Sequence, residues 1–250
     1  MPFRVNQSGG IAQLVLDHPP VNAFDSRGWA ELARTLQTLG QDPAVHVLLL
    51  SAEGRGFCGG VDIKELAAQP EAIVAVNRGC YDAFAALYDF PVPAIAAVHG
   101  FCLGGGIGLV GSCDVILASE DASFGLPEID RGAMGAATHL MRMVPQQKMR
   151  RMFFSGEPIP AQEMYRLGAV ESVLPRAQLQ AEAQALAQKI AAKSPRALRL
   201  AKQALNGIEL LEPKTSYRFE QGFTFELYSD RDSQEARDAF VEKREAKFPR

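Results

Sequence analysis

Gly56-Phe57-Cys58-Gly59-Gly60 and Gly100-Phe101-Cys102-Leu103-Gly104-Gly105 are two versions of one phrase, and each follows the same kind of segment. The first comes after the apolar run Val45-His46-Val47-Leu48-Leu49-Leu50-Ser51, the second after Ala94-Ile95-Ala96-Ala97-Val98. Short apolar runs bounded by turn residues read as fully buried strands. Each copy is therefore a strand, a glycine turn and the apparent start of a helix. A glycine turn lets backbone come close to a ligand, and the first N–H groups of a helix point outward unpaired. Two such turns brought together offer two N–H donors to one anionic oxygen, which is the arrangement of an oxyanion hole. The same glycines also suit tight turns that pack helices on a sheet. The repeat alone leaves both readings open.

Outward from these turns the chain alternates strands and helices. Ile11 to Leu16 reads as a strand closed by Asp17-His18-Pro19-Pro20. Ser26 is placed to cap a helix with Trp29, Leu32, Ala33 and Leu36 on one face. Ala72 to Tyr88 carries Val76, Cys80, Phe84 and Leu87 at helical spacing, and Val115-Ile116-Leu117-Ala118 reads as a third buried strand. Beyond Pro175 the composition turns Ala- and charge-rich with helical period over Gln178–Lys193, Arg196–Ile208 and Ser233–Lys247. The expectation is an α/β core over residues 1–195 and a helical region over 196–250.

Gly106-Ile107-Gly108-Leu109-Val110-Gly111 imitates the dinucleotide fingerprint G-x-G-x-x-G, with Glu120 at the end of the next strand. That fingerprint needs a full crossover helix and an acid about twenty residues downstream. Here Glu120 comes too soon and Gly111-Ser112-Cys113-Asp114 cuts the helix short, so a nucleotide site is not expected.

A net charge of −3 provides no global field for nucleic acid or an acidic membrane. The N-terminal residues lack the apolar stretch of a signal peptide, and no apolar run has bilayer length. Cys58, Cys80, Cys102 and Cys113 lack zinc spacing and stand in apolar or glycine-rich surroundings. They read as reduced structural thiols of a cytoplasmic protein, with no metal.

Longer stretches around the two turns resemble the enoyl-CoA hydratase/isomerase (crotonase) family. Phe57-Cys58-Gly59-Gly60-Val61-Asp62-Ile63-Lys64 is similar to its first signature, and Ala96-Ala97-Val98-His99-Gly100-Phe101-Cys102-Leu103-Gly104-Gly105-Gly106 to its second. Ser123-Phe124-Gly125-Leu126-Pro127-Glu128-Ile129 resembles the third and Ala239-Phe240-Val241-Glu242-Lys243-Arg244 the C-terminal one. The resemblance covers essentially the whole chain. It implies a spiral of ββα units with a C-terminal helical region that forms homotrimers or a dimer of trimers. It implies a substrate carried as a coenzyme A thioester and no permanently bound cofactor. The oxyanion hole would be the backbone N–H groups of Val61 and Gly105. Val61, Asp62, Ile63 and Lys64 would line the CoA groove, with Lys243 near the nucleotide end. The family's C-terminal aromatic falls on Thr224, between Phe223 and Phe225, which puts that adenine contact in doubt.

One departure bears on the chemistry. Hydratases of the family use two glutamates; the second matches Glu128, but the first position is Gly108. A single carboxylate beside an oxyanion hole can move a proton between carbons, as in one-glutamate enoyl-CoA isomerases. It can also activate water against a ketone while the departing carbanion is held as an enolate. Glycine at 108 is further expected to leave room for a bulky acyl group. Asn77-Arg78-Gly79-Cys80, Gly106–Ser112, Arg131–Leu140 and Glu220–Leu227 resemble one branch of the family, the hydrolases that open a ring of a methyl-dioxo-hexahydroindene-carboxyl-CoA in steroid catabolism. The resemblance thus implies a ring-opening C–C hydrolase with Glu128 as general base. An isomerase or hydratase, and a non-catalytic CoA- or RNA-binding relative, remain as alternatives. Asp130 and His139 follow Glu128 and are secondary candidates for orienting water or substrate, although a turn acid and a packing histidine are the simpler readings.

Overall fold

The apolar runs of the sequence are the inner strands of one sheet. The computed structural model describes residues 2–131, 135–209, 230–232, 235, 239, 242 and 244–248. β1 (Phe3–Ser8), β2 (Ile11–Leu16) and the short β3 (Ala23–Phe24) precede helix α1 (Ser26–Gln41). β4 (Val47–Ala52) and β5 (Gly60–Val61) lead to α2 (Ile63–Ala68), a 3₁₀ turn at Pro70–Ala72 and α3 (Ile73–Tyr88). β6 (Ala94–Val98) and β7 (Phe101–Leu103) lead to α4 (Gly105–Val110). β8 (Val115–Ser119) and β9 (Ser123–Gly125) lead through a 3₁₀ turn at Pro127–Arg131 to α5 (Ala137–Met143) and α6 (Gln146–Ser155). β10 (Ile159–Pro160), α7 (Ala161–Arg166), β11 (Ser172–Leu174), α8 (Arg176–Ala191) and α9 (Pro195–Ile208) complete the described elements.

The large sheet runs β1-β2-β4-β6-β8-β11. Its β1–β2 edge is antiparallel and every other pairing is parallel. The short strands form a second layer, β3 with β5 and β7 with β9 and β10. An isolated parallel bridge between Cys58 and Cys102 joins the two. Each of the pairs β4–β5, β6–β7 and β8–β9 thus contributes one strand to each layer before the chain enters helix. These are successive ββα turns of a spiral.

Burial explains why the inner strands are apolar throughout rather than alternating. Leu48 and Leu50 of β4 belong to one core, Val47 and Leu49 to another on the opposite face. Each fully buried leucine side chain contributes about 1.5–3 kcal/mol. Helices α1 and α3 cover the first face. Trp29, Leu32, Ala33 and Leu36 are buried as their spacing predicts. The second face is covered by α8 through Leu179, Ala183 and Ala187. The cap of α1 is Asp25, which accepts from the Gly28 N–H at 2.7 Å, and not Ser26. Ser26 is instead the first helical residue, and its hydroxyl donates to Glu65 at 2.6 Å. In α9, Lys202 is buried and pairs with Asp114 at 2.6 Å, while the other Asp114 oxygen accepts from the Ala94 N–H at 2.7 Å. A buried charge is tolerated only with such partners, so this pair ties α9 to the start of β6. The helix expected over 233–247 lies largely outside the described residues. Among those residues, no helix is long and apolar enough to cross a membrane.

Candidate active site

The two glycine turns lie side by side. Phe57 N–H donates to His99 O at 2.9 Å, Cys58 N–H to Phe101 O at 3.2 Å, and Leu103 N–H to Cys58 O at 2.9 Å. The echo in the sequence is therefore a pairing in space. Just past it, Gly60 and Gly104 take φ of +92° and +55°, a region costly for residues with a Cβ. A Cβ on Gly60 would stand 3.1 Å from both Gly105 N and Leu103 O, so backbone meets backbone with no room for a side chain. Gly105 opens α4, where an N–H has no helical acceptor. Val61 is bridged to Phe24, and the bond across that bridge is made by the next residue, Asp62 N–H to Phe24 O at 2.9 Å. In a parallel bridge the residue whose two neighbours make the bonds, here Val61, points its own N–H off the ladder.

The third signature arrives at the same spot because β9 pairs with β7, Leu103 opposite Gly125, and Gly104 N–H donates to Gly125 O at 3.1 Å. Glu128 sits in the 3₁₀ turn that follows. Its carboxyl lies where a Cβ of Gly104 would be, and its Oε2 is sealed from solvent. Asp130 goes elsewhere. It is exposed and lies against Gly156 at the end of α6.

The side chains on the glycine face of α4 were only partly foreseen. A Cβ on Gly105 would stand 2.6 Å from Trp29 Cζ2. A Cβ on Gly108 would clash with the Cζ edge of the Phe84 ring. The expected open space at residue 108 is therefore absent, because Phe84 from α3 fills it. Phe84 packs edge-on against Trp29 (centroids 5.6 Å) and against His139 (4.9 Å). Burial lowers the His139 pKa, and Arg142 lowers it further, so the ring favours its neutral form. The G-x-G-x-x-G run proves to be packing. All of α4 is buried, with Cys58 and Cys102 against Gly106, Phe84 against Gly108 and the His139 backbone against Gly111.

A sequence model of the enoyl-CoA hydratase/isomerase family matches residues 6–250. The chain belongs to the enoyl-CoA hydratase/isomerase family. It is 55% identical over 235 residues to a (7aS)-7a-methyl-1,5-dioxo-2,3,5,6,7,7a-hexahydro-1H-indene-carboxyl-CoA hydrolase of Rhodococcus jostii, covering 93% of this chain and 91% of the relative. A protein of the same name from Mycobacterium tuberculosis is 52% identical, covering 94% and 96%. The crystal structure of an enoyl-CoA hydratase from Mycobacterium smegmatis superposes with a TM-score of 0.94 at 29% identity, covering 99% of this chain and 98% of that one. These likenesses make the spiral a crotonase fold.

In the Val61–Lys64 stretch, Asp62 caps α2 by accepting from the Lys64 N–H at 2.9 Å. Ile63 is 48% exposed, an unusual place for an isoleucine, and Lys64 is exposed beside it. Lys243 and Thr224 lie outside the described residues. All four cysteines are free thiols. Burial pushes Cys58, Cys80 and Cys113 up to about 12 and Cys102 well up, which leaves them inert as nucleophiles. Sequence reasoning missed Asn22, which has φ +51° and is buried. Its amide donates to Glu53 O at 2.9 Å and Gly56 O at 3.0 Å, fixing the entry to the first turn. An asparagine two residues after Pro-Pro was the sequence signal for it, and the partners are more than thirty residues away.

Proposed function

We propose that this chain hydrolyses a ring carbon–carbon bond in a methyl-dioxo-hexahydroindene-carboxyl-CoA, the compound for which the hydrolases of 55% and 52% identity are named. The observation that carries the reading is that, among the described residues, Glu128 is the carboxylate laid over Gly104 beside the paired turns, with the Gly108 position closed by Phe84. One base and a water suffice for attack on a ketone. Glu128 takes a proton from water as the oxygen adds to the ring carbonyl. The tetrahedral adduct collapses with cleavage of the bond to the neighbouring ring carbon, and a carboxylic acid forms. The electron pair left on carbon delocalises through the conjugated system to the thioester oxygen. The N–H groups of Val61 and Gly105 hold that oxygen, each worth about 3 kcal/mol in a site closed to water. The proton held by Glu128 then returns to carbon, and the product is substrate plus one water.

Asp62, Ile63 and Lys64 line the CoA groove in this reading, the exposed Ile63 supplying an apolar surface for the thioester arm and Lys64 a cation for phosphate. Lys243 takes the nucleotide end. The chain works as a homotrimer or a dimer of trimers assembled through the region over 196–250, with residues 1–195 forming the catalytic core in a cytoplasmic enzyme.

Reaction in ¹⁸O-water tests the chemistry. One heavy oxygen is expected in a new carboxylate, and Glu128→Gln should bind substrate yet lose about 10²–10⁴ in rate. A product of unchanged mass, with a shifted double bond, would establish an isomerase instead.

A further inference from the structure

The chain between β4 and the first glycine turn has little packing to hold it. Glu53, Gly54 and Arg55 are exposed, and Gly54 takes a φ of +84°. Behind them lies a cleft of about 290 Å³ whose walls include Ser51, Glu53, Gly54, His99 and Arg176. What fixes this stretch is a set of bonds to its carbonyls. Asn22 donates to Glu53 O and Gly56 O. Gly54 O accepts twice, from Arg176 Nη2 at 2.7 Å and from His99 Nε2 at 3.2 Å. Arg55 O lies where a Cβ of Gly100 would stand.

The two donors to Gly54 come from different parts of the fold. His99 follows β6 and leads into the second turn. Its backbone O already accepts from Phe57 N–H, so it grips the first copy twice, by carbonyl and by ring. A carbonyl only accepts, so the ring carries a proton on Nε2. Burial, with Arg176 beside it, lowers the His99 pKa and leaves the neutral ring in that tautomer. Arg176 is the first residue of α8, which covers the other face of the sheet. Its Nη1 pairs with Asp121 at 3.0 Å, and the second Asp121 oxygen accepts from Ser119. One carbonyl oxygen thus ties the first turn to the second and to α8.

We propose that His99 and Arg176 are positioning residues for the oxyanion hole: by sharing Gly54 O they set the first turn against the second, and with it the spacing between the N–H groups of Val61 and Gly105. This rests on the hole and the acyl-CoA chemistry proposed above, and adds to them the residues that hold the two donors in place. Neither side chain needs to touch substrate. A pair of donors aimed at one oxygen tolerates little error, since a misplacement of about 1 Å costs on the order of 10² in rate. With one donor to Gly54 lost the other still holds the carbonyl, so single substitutions should act in part and the pair together in full.

The test reads the hole directly. Crotonyl-CoA labelled with ¹³C at the thioester carbonyl is bound to a Glu128→Gln parent, which suppresses turnover, and its C=O stretch is followed by infrared difference spectroscopy. Hydrogen bonds to the oxygen lower that stretch, so the bound label should lie below its value in buffer. His99→Leu and Arg176→Met should each give back part of the lowering, and the two together most of it. His99→Gln, whose amide nitrogen overlies Nε2, should keep the parent value, whereas the shorter His99→Asn should not. With Glu128 intact, either substitution should lower kcat about tenfold, the worth of one neutral hydrogen bond, and leave KM unchanged. Should His99→Leu not fold, Arg176→Met decides alone, at a side chain 49% exposed. Variants that keep the parent stretch and the parent kcat, whatever their Tm, would overturn the assignment and leave two loop contacts. A label that is not lowered in the parent removes the hole and this inference together. A lowered stretch in the parent, with no ring-opened acid from the wild-type enzyme, removes the ring-opening reading alone.

Discussion

Gly108→Ala separates a glycine that packs from one that opens space. On helix propensity alone, alanine in the middle of α4 should stabilise the protein by about 1 kcal/mol. The structure predicts the opposite sign. The added methyl would stand 2.6 Å from Phe84 Cε1, with two other ring atoms closer still. Carbon atoms prefer about 3.5–4.0 Å, so the ring must retreat by roughly 1 Å or more. Trp29 and His139 hold it edge-on from two sides, so it has no free rotamer to take. Overpacking of this kind costs about 1–3 kcal/mol. With both neighbours fixed the upper end applies, and the net loss is about 2 kcal/mol, or roughly 4–8 °C in Tm for a chain of this size. Phe84→Ala alone should cost about 3 kcal/mol, the low end for a phenylalanine because the ring is only partly buried. Combined, the methyl enters the vacated space, and the double variant should lose about 2 kcal/mol less than the sum. Urea and thermal denaturation of the four proteins measure the cycle. A stabilised Gly108→Ala with additive behaviour in the double variant would refute the packing.

Three further outcomes follow from the site. Crotonyl-CoA, watched by loss of thioester absorbance, should be hydrated far below the roughly 10³ per second of fast enzymes, and Gly108→Glu should add nothing, because Phe84 occupies the place of a second carboxylate. Gly104→Ala should fold but lose at least about 10² in turnover, since φ +55° strains the alanine by about 1–3 kcal/mol and its Cβ displaces the Glu128 carboxyl; full activity in a crystallised variant would sink the placement of Glu128. Tm should fall as the pH drops below about 6.5. Burial first, then Arg176 and Arg142 respectively, lowers His99 and His139 below their ordinary 6.5, so on acidification the unfolded chain binds protons first. The depressed carboxylates Glu163 and Glu235, at about 2, hold their contribution until below about pH 4.5. The combined His99→Gln and His139→Asn variant should therefore flatten that window, and an unchanged slope would exclude the histidines.

The parts of this fold legible from sequence are those whose pattern is local. β4, β6 and β8 are built on continuous apolar runs, β2 is interrupted only at Gln13, and α1 and α8 show helical spacing, so each was readable within a short window. The strands of the second layer were not. β5, β7 and β9 are two or three residues long, too short for any period to register, and they exist because the larger sheet delivers them to one another. Phe84 illustrates the same limit at the site. Its spacing in α3 marks it as a core residue, yet nothing local says that it fills a gap beside a residue twenty-four positions later. Tyr81 of the same helix is 69% exposed because α3 buries the Val76–Gly79–Ala83–Leu87 stripe. Glu128 could be singled out only through its signature, since its approach to Gly104 depends on the pairing of β9 with β7.

The pairing of the two glycine turns also bears on which lengths of the chain can change. Phe57, Cys58 and Leu103 exchange bonds with residues of the opposite copy, and Gly60 touches Gly105 only while both counts from the shared cysteine stay as they are. One residue inserted between Cys58 and Val61, or between Cys102 and Gly105, slides its copy past the other and separates the two N–H groups. The loops that leave these segments have no such constraint. Variants that lengthen the α2–α3 connection or the β8–β9 turn keep the meeting point intact. A library of single-residue insertions should therefore show two narrow intolerant windows in the sequence that behave as one place in the molecule.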